Sequence, residues 1–365
     1  MRTTGVEEEL LLVDARTGAP LAVSAAVIAA AALRDTGADV FTRELNQEQL
    51  EFATRPLRDM AELREEIVRW RGEARSRAEP AGALVAALAT SPLPVEPSVN
   101  AGPRYRWMTE QYALTSREQL TCGCHVHVSV ESDAEGVGVL DRIRPWLALL
   151  NALSGNSPFW QGLDTGYSSY RSQVWNRWPS AGPYEPFGGP AQYHRRVEDM
   201  LATGVLRDPG MVYFDARLSH SYPTVEIRVA DVCLEPDTTV LVATLARALV
   251  ETAARDWHHG EPTPEVSTVL LRLASWRGAR SGLRGPLIDP VSMRPASPEA
   301  AFAALLRHTE DALRASGDLE RARQGVAAHL ERGNGADRQR ALHAEGRSLA
   351  EVVRACARIT TAEAA

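Results

Sequence analysis

The sequence predicts an α+β fold: a largely antiparallel sheet with helices against one face. Three observations lead there. Strand-like segments do not alternate one-for-one with helices, no glycine-rich turn follows the first strand, and the last third reads as almost wholly helical. The 365 residues are 44% hydrophobic and 24% charged, which is enough apolar material for a sizeable core. No repeat or low-complexity linker divides the chain. The expectation is one domain over residues 1–365, with its mostly helical part from about 237 onward.

The first strand is predicted over Val6 to Val13, where Glu7 and Glu9 share one face and Val6, Leu10 and Leu12 take the other, with Glu8 breaking the pattern. A second strand, Gln47 to Thr54, sets Gln47, Gln49 and Glu51 against Leu50 and Phe52. Asp59 then caps a helix whose stripe is Met60, Leu63, Ile67, Trp70 and Ala74. Ala83 to Thr90 is the next strand. In Gly123 to Val130, His125, His127 and Ser129 lie on one side and Cys122, Cys124, Val126, Val128 and Val130 on the other. Leu140, Ile143, Leu147 and Leu150 recur at helical spacing.

Ser154 to Pro190 breaks the rhythm with six glycines, five prolines and eight aromatic residues, and reads as a long packed loop, either a functional lid or an oligomer contact. Strands are predicted again over Met211 to Leu218 and Thr224 to Val232, the latter alternating Thr224, Glu226 and Arg228 with Val225, Ile227 and Val229. Asp237 is expected to cap a helix running to about Asp256. Ser297-Pro298 starts another helix, and Ser348 with Glu351 forms a capping box.

Composition excludes several chemistries. All 40 basic residues are arginine, so there is no lysine for a Walker motif, a kinase strand or a pyridoxal Schiff base. The net charge of −7 argues against a broad nucleic-acid surface. Four cysteines are too few and too unevenly spaced for a disulfide framework. Apolar runs such as Leu21 to Leu33 and Val240 to Val250 are too short or broken for a membrane span, and no signal-peptide pattern opens the sequence. A cytoplasmic protein without membrane partners is expected.

Polar residues from four predicted strands fall on one sheet face. Residues two apart on a strand are about 6.5 Å apart, so Glu7 and Glu9 can serve two ions or clasp a pair. Carboxylates with an imidazole suit Mg²⁺ or Mn²⁺, and an arginine on the same face suits phosphate oxygens. The Cys-x-Cys-His-x-His string does not read as one zinc site, because strand parity turns the thiols away from the imidazoles.

The strings Gly5-Val6-Glu7-Glu8-Glu9-Leu10, Gln49-Leu50-Glu51-Phe52-Ala53-Thr54, His125-Val126-His127-Val128 and Glu226-Ile227-Arg228 resemble the type 2 glutamate–cysteine ligase family of carboxylate–amine ligases. So do Ser157 to Trp160, Tyr167 to Ser172, Trp175 to Pro179 and the C-terminal Gly335-Ala336-Asp337-Arg338-Gln339-Arg340. The resemblance covers nearly the whole chain and implies a deeper relation to glutamine synthetase, with a funnel-like antiparallel sheet.

It implies an enzyme that joins a small-molecule carboxylate to an amine using ATP and Mg²⁺ or Mn²⁺, through an acyl phosphate. Carried over by position, Glu7, Glu9, Glu51, His125 and Glu226 would be metal ligands, with Glu44 a further candidate whose spacing to Glu51 departs from the glutamine synthetase pattern. His127 would lie near the nucleotide, and Arg228 would steady the phosphoryl group or a substrate carboxylate. Arg171 and Arg177 could hold carboxylates while Tyr170, Trp175 and Asn176 shape the pocket; the alternative for these five is packing. A homo-oligomer such as a dimer is expected. Two rival readings are a guanidino-type phosphotransferase and a metal-dependent amide hydrolase.

Overall fold

The computed structural model describes residues 1–32 and 40–362; the end of the apolar run at Leu33 lies outside them. Nine strands position the site: β1 (Thr4–Asp14), β2 (Phe41–Arg43), β3 (Gln49–Ala53), β4 (Ala83–Ala86), β5 (Gly123–Ser129), β6 (Phe159–Trp160), β7 (Leu163–Asp164), β8 (Ala216–Leu218) and β9 (Thr224–Asp231). Seven of them form one antiparallel sheet in the order β2-β3-β1-β5-β9-β8, with β4 also paired to β1. The register places Glu9 opposite Glu51, Glu7 opposite His125, His127 opposite Glu226, and Arg217 opposite Glu226. The period-two alternation therefore carries all these side chains onto one face.

The other face is the core. Val6, Leu10, Leu50, Phe52, Val126, Val225 and Ile227 are buried, and the helix Pro236–His258 crosses behind β1, β5 and β9. The helices Met60–Ala78 and Leu147–Ser154 pack beside it. Asp59 caps the first of these through the amides of Ala61 and Glu62, and Met60, Leu63, Ile67 and Ala74 are buried as their spacing predicts. Ser297 and the Ser348–Glu351 box also cap as expected. Asp237 does not: Glu235 occupies the cap position ahead of Pro236, and Asp237 lies in the first helical turn.

Two predicted strands are shorter than expected. Beyond Ala86, the amide of Ala87 turns to Thr360 Oγ1 and its carbonyl accepts from Asn156, so the backbone is satisfied outside the sheet. The segment from Met211 joins the main sheet only at Ala216–Leu218, since Pro209–Met211 forms a single 3₁₀ turn first and Phe214 bridges to Gly182 of the long loop. The long loop contains the β6–β7 hairpin and a short helix, Arg171–Trp175.

Glu8, the residue that breaks the alternation, explains how these parts are fastened. Its side chain enters the core and meets the Arg71 guanidinium at 2.8 Å through both oxygens, while Thr239 Oγ1 donates to it at 2.6 Å. Arg71 also donates to the carbonyls of Cys233, Leu234 and Thr360. One buried ion pair thus joins β1, the Met60–Ala78 helix, the turn before the long helix and the C-terminal helix. Both side chains are about 1% exposed or less, so loss of either leaves an uncompensated buried charge.

Arg71→Ala should therefore cost about 3–5 kcal/mol in denaturant unfolding, whereas Glu8→Leu with Arg71→Met should recover most of that loss. A single variant as stable as the parent would contradict this fastening role.

Candidate metal and substrate site

The polar sheet face carries two groups of ligand-type side chains. In the first, one donor atom each from Glu7, His127 and Glu226 lies within 4.8 Å of the others; in the second, the same holds for Glu9, Glu44 and Glu51. Glu44 precedes β3 and reaches the second group despite its sequence spacing. His125 Nδ1 is 3.3 Å from Glu7 Oε2, and His127 Nε2 is 3.3 Å from Glu7 Oε1, so Glu7 stands between two imidazoles. Thr224 Oγ1, 2.9 Å from His127 Nδ1, fixes that ring. The geometry thus associates His127 with the Glu7–Glu226 group and sets His125 beside Glu7 and Arg228.

Charge differs between the two groups. Burial raises Glu226, but the guanidinium groups of Arg228 and Arg217 outweigh it and hold the carboxyl well below the usual range. Burial also opposes ionisation of Glu7, yet hydrogen bonds from His125 and His127 bring it low. Glu9, Glu44 and Glu51 are all raised, first by burial; mutual repulsion adds to this at Glu44 and Glu51, while Arg171 partly offsets it at Glu9. Burial, followed by the nearby Arg228, pushes His125 down to about 4, so it is neutral at pH 7 and available as a ligand. Hard oxygen donors with imidazole fit Mg²⁺ or Mn²⁺. No cysteine joins either group among the described residues, and the thiols of Cys122 and Cys124 are buried and raised.

A cavity of about 200 Å³ opens over this face. Glu7, Glu9, Glu44, Glu51, His125 and Arg228 line its floor; Arg104, Tyr105, Met108, Trp175, Trp178 and Tyr213 form the wall. The Arg228 guanidinium lies 5.8 Å from the Trp175 ring and 6.0 Å from that of Tyr213, and its Nε is buried without a partner. A second, more apolar cavity of about 270 Å³ meets the first at Glu7 and is lined by Val6, Ala53, Pro56, His127, Tyr222 and Pro223.

The five residues singled out in the long loop separate. Trp175 lines the cavity. Arg171 is buried beneath its edge: its guanidinium rests on Gly123, where a Cβ would come within 2.3 Å of it. The Gly123 amide in turn donates to Glu9 at 2.6 Å, and the buried Arg171 charge favours the ionised Glu9 carboxyl without lining the cavity. Arg177 pairs with Glu118, Tyr170 packs on Trp160 and Tyr167, and Asn176 lies near Gly182; none of these three lines the cavity.

The C-terminal motif fastens this loop from behind. Gln339 donates to Asn156, Asn334 to Ser168, and Arg340 to Asp164, while buried Asp231 accepts from Asn156, Ser157 and Ser169. Sequence reasoning passed over Arg104, Arg217, Trp178 and Tyr213. The signal for Arg217 was strand parity opposite Glu226; the others come from irregular or helical segments with no periodic cue.

A raised carboxyl favours the folded state below its unfolded pKa and loses that contribution as pH rises through the folded value. Glu9, Glu44, Glu51 and Asp215, the last raised to about 7 by burial, all act this way, whereas Glu7 and Glu226 matter only below the ordinary carboxylate range. Metal-free protein should therefore melt at a lower temperature at about pH 8 than at about pH 6.5, an interval above the range in which the lowered His125, His308 and His329 add stability with rising pH, and Glu51→Gln should reduce the slope by at most one proton, about 1.4 kcal/mol per pH unit. A melting temperature that climbs across this interval would contradict the raised values.

The model of glutamate–cysteine ligase family 2 matches residues 3–357. A Streptomyces avermitilis protein named "Putative glutamate--cysteine ligase 2-1" is 62% identical over 99% of both chains, and a Streptomyces coelicolor relative is 61% identical over 99% of this chain and 100% of its own. The fold is shared with a glutamate–cysteine ligase of Francisella tularensis solved with AMP (TM-score 0.67, 12% identity, 99% of this chain and 89% of that one). It is shared too with a bifunctional glutathione synthetase of Pasteurella multocida (TM-score 0.71, 14% identity, 99% and 52%). Among the described residues no helix is long and apolar enough to cross a membrane. The chain belongs to glutamate–cysteine ligase family 2 and is a carboxylate–amine ligase.

Proposed function

We propose that the enzyme activates a substrate carboxylate with ATP, as an acyl phosphate, and then joins it to an amine, with γ-glutamylcysteine formation as the leading reaction. The observation that carries this reading is the placement of Arg228, which pairs with Glu226, on a cavity floor that also holds Glu7 and all three carboxylates of the second group. Amide formation from a carboxylate in water needs an activated electrophile. The four cysteines are buried with raised thiols, which disfavours a thiolate nucleophile. What the site offers is charge and position.

Glu7, His127 and Glu226 would hold one divalent cation and Glu9, Glu44 and Glu51 a second, with His125 beside the first. Bound there, Mg²⁺ or Mn²⁺ would neutralise phosphate oxygens and the developing charge. Arg228, stacked against Trp175 and Tyr213, directs its guanidinium at the transferring phosphoryl group or the substrate carboxylate. The apolar cavity beside His127 is the right character for a purine base, which agrees with the nucleotide role expected for that histidine. The Francisella tularensis relative was solved with AMP, which supports a nucleotide here. The wall of Trp175, Trp178 and Tyr213 limits water around the reacting atoms.

Turnover with the best amino-acid pair should consume ATP and release ADP and phosphate in step with a condensed product seen by mass spectrometry. A phosphorylated substrate without amide would favour the phosphotransferase, and amide cleavage without nucleotide the hydrolase. Arg228→Lys keeps the charge but loses the planar fork, and should lower kcat by about 10² to 10³ at saturating ATP and metal. A kcat within a few-fold of the parent would remove Arg228 from this role.

A further inference from the structure

We propose that Arg217, on the edge strand β8, is a positioning residue for the metal site: it fixes the Glu226 carboxylate so that Glu226 can share a divalent cation with Glu7 and His127. This rests on the metal reading above.

The two arginines that touch Glu226 are differently engaged. Arg217 Nε donates to Glu226 Oε2 at 2.7 Å and its NH2 to Oε1 at 3.1 Å, a two-pronged grip set by the direct pairing of the two residues across β8 and β9. Its NH1 donates to the carbonyls of Gly210 and Val212, both at 2.9 Å. Arg217 would have to break these bonds before it could turn toward a substrate. Arg228 meets Glu226 through NH1 alone among its guanidinium nitrogens, and its Nε has no partner. Arg228 therefore keeps donors free for the chemistry, whereas four of the five Arg217 N–H groups are already engaged.

A carboxylate held along one edge by a fork keeps its remaining lone pairs in a fixed plane. His127 Nε2 and Glu7 Oε1, 3.3 Å apart, already define the other two corners of the group. Without Arg217, Glu226 could rotate toward Arg228 and leave that group. The turn at residues 209–211 thereby gains a purpose: it presents two carbonyls that stop the guanidinium from swinging away. Removing an outer partner of a metal ligand costs about 10- to 100-fold in metal affinity.

The test is Mn²⁺ titration of nucleotide-free protein, with the free ion counted by electron paramagnetic resonance. The parent should bind two ions per chain. Arg217→Met should weaken one of them by about 10- to 100-fold and leave the other unchanged, and Arg217→Lys, which lacks the fork, should restore little. Arg217→Met added to Glu226→Gln should cause no further loss, since the two act through one ligand. Amino-acid KM values in the Lys variant should stay near those of the parent while the Mn²⁺ requirement rises. If Arg217→Met does not fold, Arg217→Lys alone and Arg217→Lys added to Glu226→Gln carry the test. Unchanged or tighter Mn²⁺ binding in a folded variant would overturn the positioning role, whereas a parent that binds no Mn²⁺ would overturn the metal reading on which it depends.

Discussion

Like charge gathered on one face of a buried sheet is the constraint that governs this molecule. Five carboxylates, Glu7, Glu9, Glu44, Glu51 and Glu226, converge within two small groups, and water alone does not solvate them. Such a face survives only if cations or protons balance it. The protein supplies arginine at Glu226 and near Glu9, whereas burial and mutual repulsion raise Glu44 and Glu51. That uneven balance is what makes the face a site rather than a solvated surface.

The same logic explains the fastening of the rest of the chain. A face built to attract metal cannot also supply folding energy, so the opposite face carries the apolar core and the Glu8–Arg71 pair ties four elements together behind it. The loop over the site is anchored by the C-terminal motif and by Asp231 at the end of β9 rather than by the ligand carboxylates. Hydrogen bonds from Gln339, Asn334 and Arg340 hold the segment that delivers Arg171 and Trp175, which leaves the ligands free of structural duty. Rigid support from outside and a cavity that stays chemically unsatisfied are complementary features of one design.

Much of this was legible in the chain. The alternation in β1, β3, β5 and β9 carried the ligand face, and the parity of Cys124 against His125 and His127 separated the thiols from the imidazoles. Glu8 stood out as an exception, but its partner Arg71 is on a helix more than sixty residues away, and long-range pairing leaves no periodic trace. Arg171 and Arg177 looked alike in sequence. Only the glycine at position 123 opens room for the buried guanidinium of the first, while the second turns out to Glu118. Arg217 lay inside a predicted strand, but only its pairing opposite Glu226 in the sheet marks it out from its neighbours.

The central claim is that the substrate carboxylate attacks the γ-phosphorus of ATP before the amine arrives. The most direct measurement is turnover with L-glutamate labelled with ¹⁸O in its γ-carboxyl group, followed by mass analysis of the released phosphate. One labelled oxygen per phosphate, in step with amide formed, is the result the account predicts. Phosphate that carries no label while amide accumulates would contradict it, because the carboxylate oxygen would then never have been bonded to phosphorus.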